Sequence, residues 1–153
     1  MPPLPRISVS VKAAVMRADH VLLLSYDDAA GFHYNLPGGK AREGECLRDA
    51  VCRKVTEETG LRVRARRLLF VVEYVPEVWQ GEFGDVQKVQ FNFLADPLDD
   101  AAPRMPHPPD PDHVGFEWVP VTALASKYLL PRVAPHLLDA LGQNHSDCLV
   151  DRW

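Results

Sequence analysis

Between residues 46 and 61 the apolar positions recur at helical spacing. At about 100° per residue, Leu47, Ala50, Val51 and Val55 form one stripe, which predicts a helix from about Cys46 to Thr59 stopped by Gly60. Lys54 and Glu58 fall in the middle of the same arc, and Glu57 lies at its edge. A solvated face would carry its charges opposite the stripe, so these charges point toward the packed body of the domain or a cleft in it. Carboxylates in a last turn also face the negative end of the helix macrodipole, at roughly 0.3–1 kcal/mol each when exposed. Half-buried, they need a cation, hydrogen bonds or a proton.

Other stretches follow the strand period. Residues 7–16 and 21–26 are apolar runs joined by a polar turn at 17–20, which predicts a hairpin. Phe32 to Leu36 is a short extended piece leading into Pro37. Residues 61–74 are rich in strand formers, and the alternation over 86–94 places Val89, Phe91 and Phe93 on one buried face. The 75–85 stretch, with two glycines, reads as an exposed loop between antiparallel strands, and 97–113, with six prolines, as irregular chain. A short helix is expected over Pro120–Ser126. A second is expected over Pro131–Leu141, with Pro131 near its start and Gly142 at its end. Residues 143–153 read as a partly disordered polar tail. The whole chain, 1–153, reads as a single domain of the α+β class, helices flanking a mixed sheet in α/β/α layers.

Composition removes several function classes. A net charge of −4 over 153 residues gives no field to recruit a nucleic acid polymer or a membrane surface. No run reaches the roughly 20 apolar residues of a membrane span, and Met1-Pro2-Pro3-Leu4-Pro5 is not a signal peptide, so a cytoplasmic protein is expected. Cys46, Cys52 and Cys148 are odd in number and lack zinc spacing, which argues against a disulfide framework or a structural zinc site. Gly38-Gly39-Lys40 lacks the upstream glycine of a Walker loop.

Lys40 and Arg42 flank this glycine pair within reach of phosphates. Arg62, Arg64, Arg66 and Arg67 read better as the charged row of a strand. Phe32, Tyr34, Tyr74, Trp79 and Phe83 could stack a base, and most aromatics in such a domain are core, so none is assigned. Arg53 with Glu57, and Lys54 with Glu58, are i, i+4 pairs. As plain surface salt bridges they would be worth about 0.2–0.5 kcal/mol each, in the weaker order with the base first.

The spacing of Gly39, Glu45, Arg53, Val55, Glu57, Glu58, Gly60 and Leu61 resembles the Nudix box. That box is the signature of a family of metal-dependent hydrolases acting on nucleoside diphosphates linked to another group. Eight of its nine defined positions match; the ninth, a glutamate after Arg53, is Lys54. The resemblance implies a Nudix sandwich with a mixed sheet and a small-molecule nucleotide substrate, and leaves a homodimer open. It implies a catalytic set of Arg53, Glu57 and Glu58. Glu57 and Glu58 would be ligands of magnesium or manganese, the carbonyl of Gly38 would be a further ligand, and Gly39, Glu45 and Arg53 would orient the box. Oxygen ligands and retained waters suit magnesium, which would serve as Lewis acid and template.

Lys54 departs from the pattern. An ammonium can be neither metal ligand nor base while protonated. At 4 Å and an effective dielectric of 20 a unit-charge pair contributes about 4 kcal/mol, here with the sign reversed. The departure leaves an enzyme with altered metal use or a weak or inactive nucleotide-binding domain. Lys54 is also placed to touch a substrate phosphate as a point charge. Family members often carry an additional acid shortly before a strand like Gly115-Phe116-Glu117-Trp118-Val119-Pro120. By that resemblance the candidate base is Asp112, ahead of Asp110, Glu117 and His113. Asp beside Pro is equally ordinary turn chemistry.

Overall fold

The structure, a computed structural model, describes residues 6–142 and 148–150. Eight strands appear in chain order: β1 (Ser8–Arg17), β2 (His20–Asp28), β3 (Gly31–Asn35), β4 (Gly38–Lys40), β5 (Val63–Tyr74), β6 (Lys88–Pro97), β7 (His113–Pro120) and β8 (Leu149–Val150). The helix α1 (Leu47–Thr59) lies between β4 and β5; a 3-10 turn over Val121–Ser126 and the helix α2 (Ala134–Leu141) follow β7. The sheet is mixed. β1 with β6 and β5 with β8 are parallel, and the remaining pairs are antiparallel.

The expected hairpin exists but is brief. β1 and β2 pair only at Met16 with Val21 and Arg17 with His20. Beyond that turn β2 diverges to pair with β3 and β7, while the other end of β1 takes β4. The chain from β3 to β4 therefore crosses from β2 to β1 at Leu36-Pro37, where Ala13 N–H donates to the Pro37 carbonyl at 2.9 Å. Gly38 stands at the mouth of that split.

Strand alternation divides the core in two. Val11, Ala13, Val15 and Leu22 face Ala50, Val51 and Val55 of α1, whereas Ala14, Val21 and Leu23 face the side of Leu124, Leu129, Val133 and Leu137. Each fully buried aliphatic of this kind contributes about 1.5–3 kcal/mol relative to exposure. The result is the α/β/α layering expected of the chain, with α1 anchored by its stripe and Leu47 only partly covered.

Four details differ from the sequence expectation. In β6 Phe93 is buried but Phe91 and Val89 only partly so, while Gln90 and Asn92 on the opposite face are buried under the 129–133 segment. Both faces of that strand are covered, so alternation does not mark one wet side. Gly38–Lys40, read as a loop, is a strand. The helix α2 begins at Ala134 rather than Pro131, because Pro131–Val133 closes a tight turn (Val133 N–H to the Pro131 carbonyl, 2.7 Å) and the proline of its first turn is Pro135. The tail falls mostly outside the described residues. Its described part is residues 148–150, of which Leu149–Val150 is a strand beside Val71 and Val72. Among the described residues no helix is long and apolar enough to cross a membrane.

Candidate active site

The end of α1 and the start of β4 meet at Glu58. The helix stops because Gly60 adopts a left-handed conformation (φ 73°), its N–H returning to the Thr56 carbonyl at 2.9 Å. Thr59 completes the stop. Its hydroxyl donates to the Val55 carbonyl at 2.6 Å and accepts the Leu61 N–H at 3.1 Å, all buried. Arg104, from the proline-rich loop, donates its backbone N–H to the Thr59 carbonyl at 2.8 Å and lays its side chain over Gly60. A cation thus sits at the negative end of the helix, although the last turn itself has none.

Register determines what β4 offers. Ala13 with Pro37 and Ala41 with Val9 are hydrogen-bonded, and Val11 lies opposite Gly39 between them. The non-bonded pair Lys12 with Gly38 therefore turns the N–H and C=O of Gly38 away from β1. Glu58 Oε1 accepts that N–H at 2.8 Å. Only glycine fits here, because a β-carbon would run into the Val11 carbonyl and the backbone φ is +155°.

Arg53 binds three parts of the segment together. Its Nε and one terminal nitrogen donate to the two oxygens of Glu45 at 2.7 and 2.9 Å, the other terminal nitrogen donates to Glu57 Oε1 at 3.0 Å, and the Lys40 carbonyl is reached at 3.1 Å. The fork–fork pair is the strong geometry for a carboxylate. It draws the Glu45 carboxyl down to about 2 and pushes the Arg53 guanidinium higher still. Glu45 also accepts the Arg42 N–H at 3.1 Å, closing the loop onto the helix.

Glu57 is surrounded by cations. Besides Arg53, the Lys54 ammonium donates to its Oε2 at 3.2 Å, and Arg42 lies 3.8 Å from Oε1. Arg53 above all, and then Lys54, hold its carboxyl below the usual range against the opposing effect of partial burial. Lys54 pairs with Glu57 and not with Glu58, its i+4 neighbour. Its stem crosses Gly39, where any β-carbon would overlap Lys54 Cε.

Two residues unassigned in the sequence join the site. Lys12 is half-buried, donates to the Leu36 carbonyl at 3.2 Å, and has its pKa lowered, chiefly by desolvation, with Glu58 acting in the opposite sense. The Tyr26 hydroxyl donates to Glu58 Oε2 at 3.4 Å, and burial followed by the Glu58 charge raises its pKa. The Tyr26 ring stacks between His33 and His113, at centroid distances of 5.8 and 5.1 Å. Signals existed for both: a lone lysine inside the apolar run of β1, and a tyrosine extending the Leu22, Leu24 row of β2.

The loop before β7 supplies carboxylates. Asp110 carries the charge that reaches Tyr26, and its Oδ1 accepts the Asp112 N–H at 2.9 Å. Asp112 is exposed, and its carbonyl accepts the Asp27 N–H. Glu117 points elsewhere, accepting from Tyr34 at 2.6 Å and Lys127 at 3.0 Å. His113 is buried against the Gly115 carbonyl. Lys40 and Arg42 are exposed at the rim. Arg64 and Arg66 face Asp96, and Arg67 donates to the Ala140 carbonyl, so these arginines serve the sheet.

Glu57, Glu58 and the outward carbonyl of Gly38 form a set of hard oxygen donors. Among the described residues no three His, Cys, Asp or Glu side chains gather as a metal-ligand group. Two carboxylates and a carbonyl nevertheless suit magnesium, which keeps several waters and is commonly held by one or two carboxylates plus substrate phosphates.

Comparison with known proteins gives a family match over most of the chain. A sequence model of the NUDIX domain matches residues 6–141. The NAD-capped RNA hydrolase NudC of Photorhabdus laumondii is 33% identical over 63 residues, 41% of this chain and 24% of that protein. The match thus spans about a quarter of the relative's length. Among solved structures, the MutT NUDIX hydrolase of Burkholderia pseudomallei aligns with TM-score 0.66 and 25% identity, covering 89% of this chain and 98% of its own. The MutT protein of Methanosarcina mazei Go1 aligns with TM-score 0.72 and 19% identity over 94% and 99%.

Proposed function

The chain belongs to the Nudix family, and from that premise we propose that it is a hydrolase cleaving the diphosphate linkage of a nucleoside diphosphate derivative. Magnesium or manganese at Glu57, Glu58 and the Gly38 carbonyl would supply Lewis-acid polarisation of the phosphoryl oxygens and a template for the attacking water. The observation that carries this reading is the Gly38 to Glu58 contact, which brings an outward backbone carbonyl beside two adjacent carboxylates.

The remaining roles follow from the chain's own groups. Glu45 and Arg53 hold the glycine loop against α1, so the donors stay in place without reorganising during reaction. Tyr26 fixes the Glu58 carboxylate from the other side. Its raised pKa keeps it a proton donor to that carboxylate across the neutral range. Lys40 and Arg42 steer and hold the diphosphate at the rim. The base is a carboxylate of the 108–113 loop: Asp112 by sequence pattern, or Asp110, whose charge already reaches Tyr26. NAD-like dinucleotides belong among the substrates tested, because the curated relative is an NAD-capped RNA hydrolase.

The Lys54 to Glu57 pair favours a second reading, a nucleotide-binding domain with little turnover. The two separate in one experiment: binding and product release across a panel of nucleoside diphosphate derivatives and dinucleotides, with magnesium and manganese titrated. Metal-dependent release of a nucleoside monophosphate supports the hydrolase. Tight binding with no release from any panel member supports the binding domain.

A further inference from the structure

Glu57 and Glu58 meet an internal set of cations before any ion arrives. Lys54 is not a long side chain waving in solvent. It is 23% exposed, its stem lies in the space left by Gly39, and its ammonium donates to Glu57 Oε2 at 3.2 Å. Glu57 Oε1 is taken by Arg53. The second ammonium, on half-buried Lys12, lies within electrostatic reach of both Glu58 and Lys54. Both Glu57 oxygens therefore already accept from fixed cations, whereas Glu58 accepts from two uncharged groups, the Gly38 N–H and the Tyr26 hydroxyl.

Building on the metal-dependent reading above, we propose that the Lys54 ammonium is a tethered cation standing in for one divalent ion. The chain then holds one ion fewer than it would with a carboxylate at position 54, and the ammonium faces the diphosphate beside the ion that remains. Two physical facts support this. Lys54 brings no lone pair while protonated, and its charge repels any divalent ion placed next to Glu57. A hydrated ion and an ammonium are alternative answers to the same pair of carboxylates, and Gly39 gives the ammonium a built seat.

The test is manganese titration of the full chain, with free ion followed by electron paramagnetic resonance. Wild type, Lys54→Glu and Lys54→Met are compared, each checked for an intact thermal transition. Lys54→Glu is expected to bind one more ion per chain than wild type. Lys54→Met, which keeps the stem and removes the charge, is expected to bind manganese about tenfold more tightly than wild type, the factor given by roughly 1.4 kcal/mol of relieved repulsion. A Lys54→Glu variant that gains no ion overturns the proposal, as does a Lys54→Met variant with unchanged affinity. If wild type binds one ion fewer than Lys54→Glu yet hydrolyses no nucleotide of the panel, the hydrolase reading fails and this one stands. Equal ion counts with metal-dependent hydrolysis would do the reverse.

Discussion

The backbone N–H of Gly38 donates to Glu58 Oε1 at 2.8 Å, joining the first residue of β4 to the last turn of a helix twenty residues further on. The contact depends on glycine, whose missing side chain lets the backbone pass against the Val11 carbonyl at φ +155°. Gly38→Ala is expected to destabilise the fold by about 1–3 kcal/mol, the range for overpacking a tight site, and to remove hydrolysis. Gly44→Ala is the control. Gly44 also has a positive φ, 79°, but opens onto free space, so it should lower the melting temperature modestly and leave activity intact. Thermal melts and rates on both variants decide this.

Thr59 predicts a stability effect away from the charges. Replacing it by Val keeps the shape but leaves the buried Leu61 N–H without its acceptor. An orphaned buried donor costs about 1–3 kcal/mol. Urea unfolding of Thr59→Val should show a loss of that size, and an unchanged midpoint would contradict the assigned helix stop.

Glu45 predicts the shape of the acid limb. Arg53 draws its carboxyl from 4.5 in the unfolded chain to about 2 in the folded one. A depressed carboxyl pKa adds stability above the unfolded value and loses it as pH falls through the folded value. The Glu45 contribution is therefore complete above pH 4.5 and gone near pH 2. Glu45→Gln should flatten stability against pH across that window while leaving the slope at neutral pH unchanged.

The base is tested by a pair of substitutions. Asp110→Asn and Asp112→Asn both preserve size, and the residue that serves as base should lose about 10²- to 10⁴-fold in kcat. The other should change little. Because Asp110 also acts on Tyr26, its variant alone should shift the Tyr26 titration followed by ultraviolet difference spectra.

What could be read from the sequence was whatever depends on local period and spacing. The α1 stripe, its stop at Gly60 and the strand runs all follow from residues within a turn or two of each other. The tie between Arg53 and Glu45 was implied by the resemblance to the Nudix box, not by local period. Long-range packing was not legible in the same way. Gln90 and Asn92 look like a wet face until the 129–133 segment covers them, and Gly38–Lys40 becomes a strand only because β2 leaves β1 open. Lys12, Tyr26 and Arg104 were missed for the same reason: each reaches α1 from a distant strand or loop. Lys54 was visible as a departure, but its choice of Glu57 over Glu58 depends on the space above Gly39.

In the proposed reaction Glu58, set against Gly38, holds the ion through which the diphosphate is cleaved. The most direct test of that role is the initial rate of nucleoside monophosphate release against magnesium concentration, for wild type and Glu58→Gln, on the best substrate of the nucleotide panel. A saturable magnesium dependence is expected in wild type and a loss on the order of 10²-fold or more in Glu58→Gln, the scale of removing one electrostatic group from a transition state. Turnover that survives the substitution, or that persists unchanged in excess chelator, would contradict it.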